Sequence, residues 1–317
     1  MIKRTLENTT EPSTGKSITT VFAAQLVSMA ASVVMSLVVP KLLGVQEYAL
    51  WQTFILYTGY SGLLVFGVND GMLLRIGGKR YGEVPISELV GEFLILAIAQ
   101  AVMAIILLLG SLRVFDEPLK YAMAAVCIYT PVYNCCCFLQ YFFQAINHAD
   151  FYAKSSNINR ALFLGLLVLL IVLGCSTYFP YVIAYTIACV ASLAYCILSI
   201  PKATTKCNDL RKLLNTIRID AVSGLSVMVA FYAGTLILGS NRMMVQWGVG
   251  SQEFGYLSFA SSLTTFALTF VAQAGIVFFP LFKRKGKGGT TKWSAALENV
   301  LSFFTPTLYL GYMGVVA

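Results

Sequence analysis

Long apolar runs separated by short polar intervals occupy the chain from residue 17 onward. An apolar helix needs about 20 residues to cross a bilayer core. The runs therefore predict nine transmembrane helices, over roughly residues 17–39, 48–68, 89–112, 120–146, 161–179, 181–200, 219–240, 254–282 and 299–317. The predicted fold class is an all-α polytopic membrane protein. The longest polar interval between spans of the two halves, Pro201 to Arg218, carries five cations. It divides the chain into a first lobe of six helices (1–200), a cytoplasmic linker (201–218) and the first three helices of a second lobe (219–317). The last span reaches Ala317 with no polar residue beyond it, so the pattern predicts that the chain is part of a longer product.

A repeat supports the two-lobe reading. Gly44-Val45-Gln46-Glu47-Tyr48-Ala49 recurs 206 positions later as Gly250-Ser251-Gln252-Glu253-Phe254-Gly255, each copy lying between two apolar runs. Repeated helical halves are a construction used by membrane transporters. Both copies are expected in short outer loops, with Glu47 and Glu253 capping the following helices or bonding to the loop.

Composition agrees with the pattern. Hydrophobic residues make up 58% of the chain and charged residues 11%, against about 25% charged in soluble domains; mean hydropathy is +0.76. Lys and Arg near span ends stay on the cytoplasmic side. With the N-terminus inside, 18 of the 22 cations fall on inner segments and only Lys41, Arg113, Lys120 and Arg242 fall outside. The expected topology is multi-pass, with a cytoplasmic N-terminus. The net charge of +8 then reflects topology and anionic inner-leaflet lipid, not a nucleic-acid surface. The first 16 residues are polar and the first run is long enough to remain as a span, so no cleaved signal peptide is expected. Seven of the eight cysteines lie in or beside apolar runs, none has Cys-x-x-Cys spacing, and His148 is the only histidine. They read as packing residues, and no metal or cofactor site is predicted.

Polar residues at helical spacing mark faces turned to protein or water. The first run carries Gln25, Ser28, Ser32 and Ser36; the fourth carries Gln140, Gln144, Asn147 and His148; the eighth carries Ser258, Ser262, Thr265, Thr269 and Gln273. Close helix packing with interhelical hydrogen bonds, about 0.6 kcal/mol each, accounts for the serine stripes as well as a hydrated cavity does. The long amides of the fourth run favour the cavity.

Ionisable residues cost about 2.5–3.5 kcal/mol each at a bilayer centre, so their placement is informative. Glu88 and Glu92 open the third span and Asp220 opens the seventh, where a helix N-terminus stabilises anions. Ion coupling, with Asp70, is the alternative role for Glu92 and Asp220. Asp70 and Arg75 sit among Gly67, Gly71, Gly77 and Gly78, which predict a broken helix end. Arg75 either snorkels to the interface or binds a ligand. Arg160, at an expected helix start, needs a partner to offset the dipole. Lys41 and Arg242 precede the two repeat copies and meet either headgroups or an anionic ligand.

Enzymatic signatures are missing. Gly15-Lys16-Ser17 resembles the end of a phosphate-binding loop, but Thr10 stands where its first glycine belongs. There is no Gly-x-Ser-x-Gly elbow and no His-Glu helix motif, so the chain is not expected to be an enzyme.

Taken in order, Pro40 through Trp51, Phe66-Gly67-Val68-Asn69-Asp70-Gly71 with Arg75 and Gly77-Gly78, Asn241-Arg242, and Glu253 through Ala260 resemble the O-antigen-type polysaccharide flippases. These belong to the multidrug, oligosaccharidyl-lipid and polysaccharide exporter superfamily. The resemblance implies two lobes around a central cavity that moves a polyprenyl-pyrophosphate-linked oligosaccharide from the cytoplasmic to the outer leaflet by alternating access. It further implies sugar contacts from Gln25, Gln140, Gln144 and Asn147, pyrophosphate contacts from Arg75 and Arg160, and outer contacts from Arg242 and Lys41. The resemblance also implies a bacterial inner-membrane location, and as partners the lipid-linked substrate, membrane lipids and other polysaccharide-assembly proteins. A multidrug exporter of the same superfamily, or a membrane glycan polymerase or transferase, is the alternative.

Overall fold

The computed structural model describes residues 37–79, 81–200 and 210–265. Among them the chain is all-helical, without a strand. The order is α1 (Val39–Thr58), a 3-10 turn (Ser61–Val65), α2 (Val68–Ile76), a second short turn (Tyr81–Glu83), α3 (Ile86–Val114), α4 (Leu119–Ala145), α5 (Ala149–Val172), α6 (Phe179–Ser199) and α7 (Leu210–Gly248). Residues 251–265 are also helical and form α8. Helices α3 to α7 each contain a stretch long and apolar enough to cross a membrane, which makes the chain an all-α membrane protein by length and composition. The described residues belong to two units, 42–255 and, separately, 37–41 with 256–265. The larger unit carries the contacts that follow.

The expected second span, 48–68, is not one helix. It ends at Thr58, passes through the 3-10 turn and restarts at Val68, with Phe66 and Gly67 both in the left-handed region. Gly67, at positive φ, makes the break permissible, and side chains satisfy carbonyls that the helix no longer uses. Gln100 Nε2 donates to Leu64 O at 2.7 Å and Asn134 Nδ2 donates to Ser61 O at 3.0 Å.

Two other boundaries move in the opposite direction. Helix α5 begins at Ala149, well before the expected residue 161, because Phe151 and Ser155 bury one face of an otherwise polar first part. Helix α7 begins at Leu210, so residues 210–218 of the expected linker are its first turns. Residues 201–209 lie outside the described residues, as do most of the first span and of the two last ones.

The repeat has a common geometry. Its first glycine breaks the helix at positive φ in both copies, 70° at Gly44 and 146° at Gly250. The sixth residues face each other: a Cβ on Gly255 would stand 3.3 Å from that of Ala49 and 3.0 Å from Val45 O. The acids differ. Glu47 accepts a 2.8 Å bond from the Tyr178 N–H at the start of α6, whereas the Glu253 carboxylate folds over its own Gly250.

Aromatic packing fixes the bundle around this repeat. Trp51 and Phe54 of α1 lie fully buried among Phe163, Tyr181, Tyr185 and Tyr129, from α5, α6 and α4. A second core joins Met72 and Ile76 of α2 to Leu89, Leu96, Phe138, Phe142 and Cys196.

Candidate functional site

Helix α7 runs antiparallel to α1, the 3-10 turn and α2, and meets them along one stripe: Asp220, Gly224, Tyr232, Thr235, Gly239, Arg242 and Gln246. These residues recur at multiples of three and four, so they share a helix face. Along the stripe the chemistry changes from a carboxylate–guanidinium cluster to amide, hydroxyl and aromatic contacts around one further guanidinium.

At the first end the backbones touch. Gly67 and Gly71 form a Gly-x-x-x-Gly pair on α2, facing Asp220 and Gly224 on α7. A methyl on Gly71 would collide with Asp220 O, and one on Gly224 with Gly67 O. Small residues at this spacing let two membrane helices approach closely. That approach delivers the Asp220 carboxylate to Arg75. The guanidinium grips it as a fork, with Nε to Oδ1 at 2.8 Å and Nη2 to Oδ2 at 2.8 Å, and Nη2 also donates to Glu92 Oε2 of α3 at 2.7 Å. Asp220 and Glu92 have side-chain exposures of 1% and 2%, and Arg75 of 28%.

Burial alone would lower the proton affinity of Arg75, but its bonds to Asp220 and the charge of Glu92 hold it above the ordinary value. Arg75 and Glu92 also line a small open recess, with Ile76, Lys79, Val84, Pro85, Glu88 and Leu89. On its rim Lys212 of α7 pairs with Glu88 of α3.

In the middle of the stripe, Tyr60 OH donates to Thr235 O at 3.2 Å. The Tyr60 and Tyr232 rings rest against Gly239 and Gly62. At the far end Arg242 Nη2 donates to Gln52 Oε1 at 2.9 Å and its guanidinium lies 5.5 Å from the Phe254 ring centroid. Gln246 Nε2 donates to Thr53 Oγ1 and Trp247 Nε1 to Tyr57 OH, both at 2.7 Å.

The residues singled out in the sequence separate accordingly. Arg75, Glu92 and Asp220 come together. Helix α7 starts ten residues before Asp220, about three turns away, so the helix dipole does not account for this acid; Arg75 does. Arg160 is likewise not at a helix start but exposed within α5, where it needs no dipole-compensating partner. Arg242 is spent on Gln52 and Phe254 at the opposite end of the seam.

Gln140 is half-buried and tied to protein. Its Nε2 donates to Ser155 Oγ at 2.9 Å, in a buried network with Ser192, Cys136 and Cys196. Gln144 and Asn147 are exposed where α4 passes into α5, and Asn147 takes the left-handed conformation (φ 59°) that asparagine tolerates. Asp70 is half-buried in the first turn of α2, and burial pushes its carboxyl above the ordinary value. Lys41 is exposed and belongs to the smaller unit. Gln25 lies outside the described residues.

Sequence reasoning missed Gln100 and Asn134. Both are buried; Asn134 Nδ2 also donates to Gln100 Oε1 at 2.8 Å, and Asn134 Oδ1 has no hydrogen-bond partner. The signal was available in two isolated amides within long apolar helices, opposite a run containing three glycines. Comparison with protein-family models, with curated proteins and with solved structures returned no match.

Proposed function

We propose that the chain is a transporter of the polysaccharide-flippase type, moving a polyprenyl-pyrophosphate-linked oligosaccharide across the membrane by alternating access. The observation that carries this reading is the seam. Helix α1 contains the first repeat copy and α7 precedes the second; α7 is joined to α1 through hydrogen bonds and to α2 and α3 through an ionic cluster, inside otherwise apolar helices. Polar groups in such helices cost insertion free energy, and a joint between repeated halves is where rocking opens and closes a path. A helix broken at mid-length beside that joint is a further feature of transport sites.

The proposal includes nine spans with a cytoplasmic N-terminus, taken from the charge asymmetry. The Arg75 cluster is then the inner closure and the Arg242 cluster the outer one. Since both arginines are engaged in the closed seam, they become available to a pyrophosphate only as it opens. Gln144 and Asn147, exposed near the inner face, and Arg160, exposed farther along α5, remain the sugar- and phosphate-contacting candidates.

The test is reconstitution of the full chain in vesicles with a labelled polyprenyl-pyrophosphate oligosaccharide in one leaflet. Transfer well above that of protein-free vesicles supports the reading. Transfer no faster than in protein-free vesicles rejects it.

A further inference from the structure

We infer that the Arg75–Glu92–Asp220 cluster is a proton-binding site in which Glu92 takes up one proton as the seam closes and releases it as the seam opens to water. The inference rests on the reading of this cluster as the inner closure. Its first support is charge balance: one guanidinium lies between two carboxylates that are almost wholly excluded from solvent. The surplus is one negative charge, and a buried charge without its own partner is costly.

The geometry selects the carboxylate that gives way. Asp220 is held through both oxygens by Nε and Nη2. Glu92 receives from the same guanidinium only Nη2, which it shares with Asp220. A proton on Glu92 cancels the surplus and leaves the stronger Arg75–Asp220 fork intact. The same proton on Asp220 would weaken the contact that joins α2 to α7.

Neighbouring charges do not remove the surplus. Glu88, one turn before Glu92, adds a negative charge, and Lys212 of α7 is paired with it. Lys79 is the other cation on the recess and lies at its exposed rim. The recess, lined by Arg75, Lys79, Glu88 and Glu92, provides the proton's route. When α7 separates from α2 the carboxylates are hydrated, and Glu92 gives up the proton to water.

The sign of the pH dependence follows from linkage. Glu92 binds a proton more tightly in the closed seam than in the open one, so acid favours closure and alkali favours opening, by at most about tenfold per pH unit for one proton. Glu92→Gln, the neutral isostere, should keep the seam closed at every pH. The experiment is amide hydrogen exchange across residues 67–76 and 218–228 of the full chain in lipid nanodiscs, as a function of pH and corrected for intrinsic exchange. A parallel infrared titration follows the protonated-carboxyl C=O band.

Expected is slower seam exchange at low pH in the native protein, slow and pH-flat exchange in Glu92→Gln, and a carboxyl band in the native protein that the variant lacks. Native exchange independent of pH overturns the inference, with no variant required. So does the same pH dependence, or the same band, in Glu92→Gln. Neither readout uses glycan, so a pH-dependent seam without lipid-linked oligosaccharide transfer would reject the flippase reading and leave the proton site standing.

Discussion

The two ends of the α7 seam solve the same problem with different chemistry. At the carboxylate end, Gly67 and Gly71 bring backbones into contact with Asp220 and Gly224, and an arginine shared by two acids closes the joint. At the amide end, larger side chains meet through Gln52–Arg242, Thr53–Gln246 and Tyr57–Trp247. Neutral pairs such as Thr53–Gln246 and Tyr57–Trp247 tolerate replacement by apolar groups of like shape, whereas a buried ion left alone does not. The carboxylate end should therefore depend steeply on each member, and the two neutral pairs of the amide end should be plastic.

Arg75→Ala should have the largest effect. It leaves the Asp220 carboxylate buried without a cation, which costs about 3–5 kcal/mol, and should lower the thermal midpoint of the detergent-purified protein more than any other single change in the seam. Replacing all three members together by apolar residues of similar volume should recover most of that loss. If the triple variant is no more stable than Arg75→Ala, the contrast between the ion cluster and the neutral pairs fails.

Gly71→Ala and Gly224→Ala come next, at about 1–3 kcal/mol each, because an added methyl meets backbone that cannot turn aside. Their cost should be shared, since either methyl separates the same two helices. A double variant whose loss equals the sum of the singles would show that the contact is not one joint. Gly62→Ala and Gly239→Ala test the middle of the seam. There the obstruction is the hydroxyl of Tyr232 or Tyr60, the far end of a side chain, and the penalty should be smaller.

Asn134→Leu removes the donor that serves Ser61 O and Gln100 in the broken stretch after α1. An orphaned buried acceptor costs about 1–3 kcal/mol. The variant should also speed hydrogen exchange in residues 59–67 while leaving α2 and α7 unchanged, because the break and the ionic cluster are separate devices.

Helix existence was legible in the apolar runs, and α3, α4 and α6 lie within a few residues of their expected places. The misplaced boundaries share one cause. The opening turns of α5 and α7 are polar, and a criterion based on continuous apolar residues excludes helix that bears charge on its solvent side. The break after Thr58 was hidden for the converse reason: glycine interrupts a helix without interrupting an apolar run. Arg75, Glu92 and Asp220 were each conspicuous as ions beside apolar spans, but their partnership was not. It depends on the register of α7 against α2, with Arg75 and Asp220 145 positions apart, and only the Gly67–Gly71 spacing hinted at so close a contact.

The smallest effect expected is at the amide end. Gln246 and Thr53 form a single buried pair, and Gln246 Oε1 has no hydrogen-bond partner. Gln246→Leu alone strands the Thr53 hydroxyl, although that group also donates to Ala49 O at 2.9 Å and so keeps one partner. Gln246→Leu with Thr53→Val removes both polar groups and should change stability by less than about 1 kcal/mol, because the pair's net contribution is small once neither group must leave water. Thermal unfolding of the double variant beside Arg75→Ala measures the two ends on one scale. A loss at the amide end as large as that at the carboxylate end would mean that the two are equally specified, and the seam would then be a uniform joint with no reason to open at one end first.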